Sequence, residues 1–334
     1  MNYIPDHLKQ IENLLSNLSL KTPITPKEFI QYTKSFGNKH RFYSPCFNKD
    51  GQQYFFYALL KKDAESKKQF SKELRLANFL KNYKNGFSHN FPDYVNYSIG
   101  NAHPWLLSSF IPFKTLENPI KIERLSQNLS DEDILMIGKS LFEINYNFLN
   151  YAIGFLEITI NDLSLKTDST IAKLNRFVQE GIVDRKLIVR IKDYLQTNSS
   201  LVHNQTKYFC HGDFHLGNII LMKNKNEPPK IKIIDWEKYC LSNLAYDISF
   251  LFCKTYFESN FRRKILDNYL KLIPVKELTN FKKLFRYNVI YFSVKFGLEL
   301  KPYGLDRKEA ETRRKWFIGL LQNSTVSFEK LITN

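Results

Sequence analysis

Two short apolar runs, each broken by a polar loop, constrain this chain more than any other feature. The first is YFCHGDFHLGNIILM, residues 208–222, and the second is IKIIDWEKY, residues 231–239. Runs of three or four apolar residues bounded by Gly, Asn or Pro are strand-length rather than helix-length. NKNEPP, between them, reads as a turn. The expected local structure is therefore a strand, a loop, and two more short strands. Asp213, Asn218 and Asp235 then stand where the chain turns.

Two chemistries compete for such a loop. His211 and His215 are four residues apart with Asp213 between them, a spacing that suits zinc when it lies on a helix. Gly212 and Gly217 make poor helix material. No later HxxE, HxH or Cys pair completes a set of three ligands. Phosphoryl transfer asks for different parts: a carboxylate to take the hydroxyl's proton, oxygens to hold a cation, and a positioned triphosphate. Asp213 supplies the first. Asn218 and Asp235 supply a neutral and an anionic oxygen of the kind that Mg2+ prefers.

The surrounding pattern changes character along the chain. DHLKQIENLLSNL has helical spacing and reads as a leading helix. EFIQYTKSF, HRFYSPCF and QQYFFYALLKK follow as three strands, joined by a Gly37-Asn38 loop and by the turn NKDG. AESKKQFSKELRLANFLKNY is helical, with Phe70, Leu74, Ala77 and Leu80 on one face. DYVNYSI and PWLLSSFI form a second hairpin. Residues 27–112 thus read as five antiparallel strands with one helix inserted. Beyond Pro112 the periodicity is mainly helical, over about 131–152, 168–197 and from 245 onward. The fold class is α+β and bilobal. Residues 1–112 form a β-rich nucleotide-binding lobe, and residues 113–334 a helical lobe with the catalytic loop and the acceptor pocket. Ser109–Lys114 is the expected hinge.

HGDFHLGN, then IIDWE, then YDISFLF resembles the aminoglycoside phosphotransferase and choline kinase superfamily, whose fold is similar to that of protein kinases. The family pattern is HxDxxxxN, an Asp closing a strand, and an Asp near a helix start. The resemblance implies an ATP- and Mg2+-dependent transfer of the γ-phosphate to a hydroxyl of a small molecule. It makes Asp213 the catalytic base and Asn218 and Asp235 the Mg2+ ligands. His211 becomes structural, and His215 approaches the transferred phosphate or packs the loop. Asp247 either braces the catalytic loop through backbone amides or caps its helix. On the nucleotide side, Lys61, preferred over its neighbour Lys62, faces the phosphates and is held by Glu73. Gly37 and Asn38 cover the phosphates, in place of a GxGxxG loop. The backbone at Ser109, Phe110 and Ile111 meets the adenine. Two departures stand out: Ile144-Asn145 where many relatives carry Leu-His, and Trp236-Glu237 after the metal-binding Asp, which favours small-molecule kinases over protein kinases.

Charge and composition bound the rest. The chain has 334 residues and a net charge of +16, with Lys and Arg dispersed rather than in runs. A solvated basic surface is the ordinary reading, and nucleic acid is not an expected partner. The rival function is a non-catalytic protein of the same fold that binds nucleotide or RNA. No apolar stretch approaches the length of a membrane span. The N-terminal segment MNYIPDHLKQIENLL lacks the apolar core of a signal peptide and reads as mature sequence. Four cysteines without CxxC pairing suggest buried thiols in a reducing compartment, hence the cytoplasm. The acceptor is open among aminoglycoside, choline or ethanolamine, another amino alcohol, a sugar and an unusual protein substrate. Glu237, Asp267, Glu299 and Glu311, with aromatics such as Tyr256, Tyr291 and Trp316, are the residues that could bind a cation.

Overall fold

The computed structural model describes residues 4–22, 41–59, 64–82, 88–98, 104–112, 114–118, 123–152, 154, 156–224, 227–297 and 306–333. The chain divides into two compact units. One comprises Met1–Phe113 with Asp235–Glu237, and the other Lys114–Ile234 with Lys238–Asn334.

The first unit contains α1 (Ile4–Asn17), β1 (Arg41–Phe47), β2 (Gln53–Leu59), α2 (Ala64–Asn82), β3 (Tyr94–Ser98) and β4 (Trp105–Ser109). The strands form an antiparallel sheet in the order β1-β2-β4-β3. NKDG makes the expected tight turn: the Asn48 side chain accepts from the amides of Asp50 and Gln52 at 3.0 and 2.8 Å. Five strands were expected and the described sheet has four. The remaining one, EFIQYTKSF, lies outside the described residues. Strand alternation gives the sheet two apolar faces. Phe42, Phe56, Ala58, Trp105 and Leu107 pack with Ile11 and Leu15 of α1. Tyr57, Leu59 and Leu106 point the other way, onto Phe70, Leu74 and Ala77 of α2. Trp236 belongs to this unit through Phe91, whose ring centre lies 4.5 Å from its own.

The second unit is mainly helical. α3 (Asp131–Asn147) opens on a capping box made by Ser130 and Asp133. The helical stretch expected over about 168–197 comprises two helices, α4 (Thr167–Gln179) and α5 (Arg185–Asn204). The break falls at Gly181, with φ +68°, and at Asp184, whose carboxylate caps α5 on the amide of Lys186. Short strands lie between the helices: β5 (Thr159–Ile160), β6 (Tyr208–Cys210), β7 (Ile219–Met222), β8 (Lys230–Ile233) and β9 (Cys240–Ser242). β7 and β8 form the expected hairpin, with Ile219 opposite Ile233. β6 pairs with β9 rather than with that hairpin, and β5 joins β9 in parallel. α6 (Tyr246–Lys254), α7 (Ser259–Leu272), α8 (Val275–Phe292), α9 (Arg307–Ser324) and α10 (Phe328–Ile332) complete the unit. Among the described residues no helix is long and apolar enough to cross a membrane.

One polar side chain fastens the elements that carry the loop. Asn145 of α3 is fully buried. Its amide nitrogen donates to the carbonyl of Phe209 on β6 at 2.8 Å and to Asp247 on α6 at 2.9 Å. Its amide oxygen accepts from the Tyr269 hydroxyl of α7 at 3.0 Å. Asn145→Leu keeps the volume and leaves the Phe209 carbonyl and the Asp247 carboxylate each short of a partner, while the Tyr269 hydroxyl keeps the Leu244 carbonyl at 3.1 Å. It should lower the unfolding free energy by about 3 kcal/mol, read from the urea midpoint. A loss below about 1 kcal/mol would contradict this role.

Candidate active site

The loop between β6 and β7 is built from bonds that consume its backbone. The His211 amide donates to Asp247 Oδ2 at 2.7 Å, and the Gly212 amide to Asp247 Oδ1 at 3.0 Å. Of the two readings for Asp247, the brace is the one observed. It sits in the first turn of α6, whose N-cap Ala245 has no side-chain cap. The carboxylate is fully buried. Burial pushes its pKa up, and His211, Asn145 and the two loop amides pull against that rise.

His211 is wholly inside and uses both ring nitrogens. Nε2 donates to the carbonyl of Ile234, just before Asp235, at 2.9 Å, and Nδ1 accepts from the Asp213 amide at 3.2 Å. A ring so engaged has no lone pair left for zinc. Gly212 takes φ +83°, and a Cβ there would stand 2.1 Å from the Lys238 carbonyl oxygen. The loop therefore presses against the backbone just beyond Glu237 at a place only glycine allows.

Asp213, His215 and Asn218 come together in this loop. Asn218 donates its amide nitrogen to the Asp213 carbonyl at 2.9 Å. Its backbone accepts from the Ile234 amide at 3.0 Å and donates to His215 at 2.9 Å. The Asn218 side-chain oxygen takes no hydrogen bond among the described residues, which leaves it able to meet a hard cation. His215 Nδ1 accepts from the Gly217 amide at 3.1 Å and lies 3.7 Å from Glu117 Oε2. Burial holds the His215 pKa below its ordinary value, against the pull of Asp213 and Glu117, so the ring is neutral at pH 7.

The Asp213 carboxylate meets a residue that the motif reading had not marked. Lys238 Nζ lies 2.5 Å from its Oδ2. Burial raises the Asp213 pKa, but Lys238 and His215 outweigh that and hold it below the usual carboxylate value. The signal for Lys238 was a basic residue three places after Asp235. Spacing alone could not say whether it faced the loop or solvent.

The remaining candidates belong to the first unit. Asp235 adopts φ +64°, a left-handed backbone that costs a non-glycine residue about 1 kcal/mol. Strain of this kind gathers at functional sites. Glu73 of α2 is buried and accepts from the Tyr94 hydroxyl at 3.4 Å. Burial first, and then Glu73 and Asp235, push the Tyr94 pKa well above its ordinary value. At the end of β4, the Ser109 amide donates to Asp93 at 2.9 Å and the Phe110 amide to Gln53 at 3.4 Å. Lys61, Gly37 and Asn38 lie outside the described residues.

Comparison with known proteins follows these motifs. Residues 152–273 match the model of the phosphotransferase enzyme family, a span that holds Asp213, Asn218, Asp235 and Asp247. Solved structures share the fold at low identity. The GDP complex of wild-type aminoglycoside 2'-phosphotransferase-IIIa has a TM-score of 0.55 at 15% identity, covering 96% of this chain and 98% of that one. Macrolide 2'-phosphotransferase type I has a TM-score of 0.53 at 13% identity, over 93% and 96%. Choline kinase from Cryptosporidium parvum has a TM-score of 0.50 at 13% identity, over 90% and 92%. No curated protein matches the sequence. The resemblance to the aminoglycoside phosphotransferase and choline kinase superfamily therefore holds, and the fold is the α+β bilobal fold of kinase-like enzymes.

Two glycines in the left-handed region separate backbone strain from close approach. Gly51 has φ +78° and open space around it. Gly51→Ala should cost about 1 kcal/mol in urea unfolding. Gly212→Ala should cost about 3 kcal/mol or more, because the Lys238 backbone must also move. Equal losses at the two positions would refute the close packing of the loop.

Proposed function

We propose that this chain is an ATP- and Mg2+-dependent phosphotransferase that moves the γ-phosphate to a hydroxyl of a small molecule. The observation that carries this reading is Asp213. It is an ionised carboxylate, paired with Lys238 through Oδ2, on a loop whose neighbouring amides, His211 and Asn218 are all bound inward. A carboxylate held below its ordinary pKa stays charged at neutral pH. It orients the acceptor hydroxyl and takes its proton as the oxygen–phosphorus bond forms.

The donor set suits magnesium. Asn218 offers an amide oxygen and Asp235 an anionic one, and few protein ligands are needed where phosphates and water complete the shell. Bound there, the ion would supply charge neutralisation at the phosphates. Lys61, held by Glu73, would grip the phosphates, with Gly37 and Asn38 over them. Ser109, Phe110 and Ile111 would meet the adenine through the backbone. Lys238 holds the Asp213 carboxylate in place until an acceptor arrives. A cytoplasmic location is part of the proposal, supported by four cysteines that are all buried and free.

Asp213→Ala should abolish phosphorylation across a panel of hydroxyl acceptors while ADP still binds. Undiminished turnover would overturn the assignment. Asp235→Ala should remove the Mg2+ dependence of nucleotide affinity, measured by titration calorimetry with and without the metal. Unchanged dependence would remove Asp235 from the ligand set. Lys238→Ala takes away the nearest positive charge, so the Asp213 pKa should rise. The acid limb of the pH profile for phosphate release from ATP should then move to higher pH. A limb that stays put, or moves lower, would contradict the ion pair.

A further inference from the structure

If Asp213 is where the acceptor hydroxyl lies, the charge around it describes the acceptor. The sequence left cationic acceptors open, and they would require carboxylates or empty aromatic faces. Around this loop several carboxylates already have partners, Glu117 accepting from the Glu123 amide at 3.0 Å and lying 3.7 Å from His215 Nδ1. Asp213 is paired with Lys238, and Asp162 with His203 at 2.6 Å. Glu123 is paired with Arg313 at 2.7 Å. Elsewhere, Glu311 pairs with Arg307 on the surface, and Glu237 is buried. The Trp316 and Phe252 rings are filled as well. The Arg262 guanidinium lies 4.7 and 5.1 Å from their centres and donates to the carbonyls of Thr255 and Tyr256.

Cations gather instead. The last turn of α8 runs on as a π turn, Ser293–Gly297, a rare geometry often found at functional sites. It presents Lys295 at an exposed position, with no carboxylate partner among the described residues. Lys295 Nζ lies 5.7 Å from the centre of the Tyr291 ring, and Lys166 Nζ lies 5.6 Å from the same ring. Lys166 is fixed by Asn161 Oδ1 at 2.6 Å, and the Asn161 amide is bonded to Leu241 on β9, three residues beyond Lys238. Phe296, next to Lys295, packs on Phe250 at 5.4 Å, and Phe250 stacks on the His215 ring at 6.4 Å. These contacts join the lysines to the catalytic loop. Partial desolvation and then Lys166, Lys238 and Lys173 hold Lys295 below its ordinary pKa, with Asp213 pulling the other way. Such mutual repulsion among ammonium groups is relieved by an anion between them.

We infer that the acceptor is an anion: a small alcohol carrying a carboxylate or phosphate, bound by Lys166 and Lys295 beside Asp213. This rests on the phosphotransferase reading and names its substrate class. A carboxylate or phosphate on the acceptor would satisfy both ammonium groups and hold the neighbouring hydroxyl toward Asp213. A quaternary ammonium would meet two like charges.

The test uses the full chain loaded with ADP and Mg2+. Glycerate, glycerol 3-phosphate, glycerol and choline are titrated into it by calorimetry at fixed ionic strength. One or both anionic alcohols should bind at least tenfold more tightly than glycerol or choline, and the better of the two distinguishes carboxylate from phosphate. Lys166→Ala with Lys295→Ala should cost that anion at least tenfold while ADP affinity changes less than threefold. Lys186→Ala with Lys192→Ala, on α5, removes the same charge elsewhere and should leave the anion's affinity unchanged. Choline or glycerol binding as tightly as the anions would overturn the inference. So would absence of anion binding to the ADP-loaded protein, or equal losses in the two double variants. Failure of the wild-type chain to bind ADP would instead sink the phosphotransferase reading itself.

Discussion

The buried carboxylate of Asp247 is the contact on which the site depends. It accepts from two successive amides, His211 and Gly212, and from Asn145, so three separate elements converge on one side chain. Burying a charge without partners costs far more than a hydrogen bond returns. The arrangement is stable only when all donors are present, so loop, helix and Asn145 specify one another. Everything functional in the loop follows from that clamp. With the amides of residues 211 and 212 turned inward, His211 can bridge to Ile234, Asn218 can bind back on Asp213, and the Asp213 carboxylate is left facing Lys238.

Much of this was legible because short strands and polar loops leave a strong local signature. The spacing of Asp213, Asn218 and Asp235 announced a strand–loop–hairpin, and β7 and β8 form it. QYFFYAL was legible as a strand, and because it is apolar at nearly every position its odd and even residues pack on different helices. The helical face of residues 70–80 likewise packs as its periodicity implied. Other features depend on contacts distant in sequence. Nothing local says that β6 pairs with β9 across some thirty residues, or that Asn145 meets Asp247 a hundred residues away. The break between α4 and α5 carried a weak signal, a Gly followed by a capping Asp, which an apolar periodicity running through both helices overrode. Ile-Asn at 144–145 looked like a departure from its relatives. The structure shows an amide making three bonds there.

Charge had to be read locally. A net charge of +16 spread along the chain says little about any one site. The second unit divides its charges by role. Arg262 and Arg313 are inside and neutralised by carbonyls, rings or Glu123, whereas Lys166 and Lys295 stay near the surface beside Tyr291 without a carboxylate partner among the described residues. Aromatic abundance, which at first sight could serve a cationic ligand, is here spent on core packing and on the chain's own guanidinium groups.

Amide hydrogen exchange at His211 and Gly212, followed together with phosphate release from ATP, tests the clamp most directly. In the wild-type chain both amides should be among the slowly exchanging set. In Asp247→Ala they should lose protection by at least tenfold, and phosphate release should fall at least a hundredfold while ADP still binds. Protection and phosphate release that both survive the substitution would contradict the account.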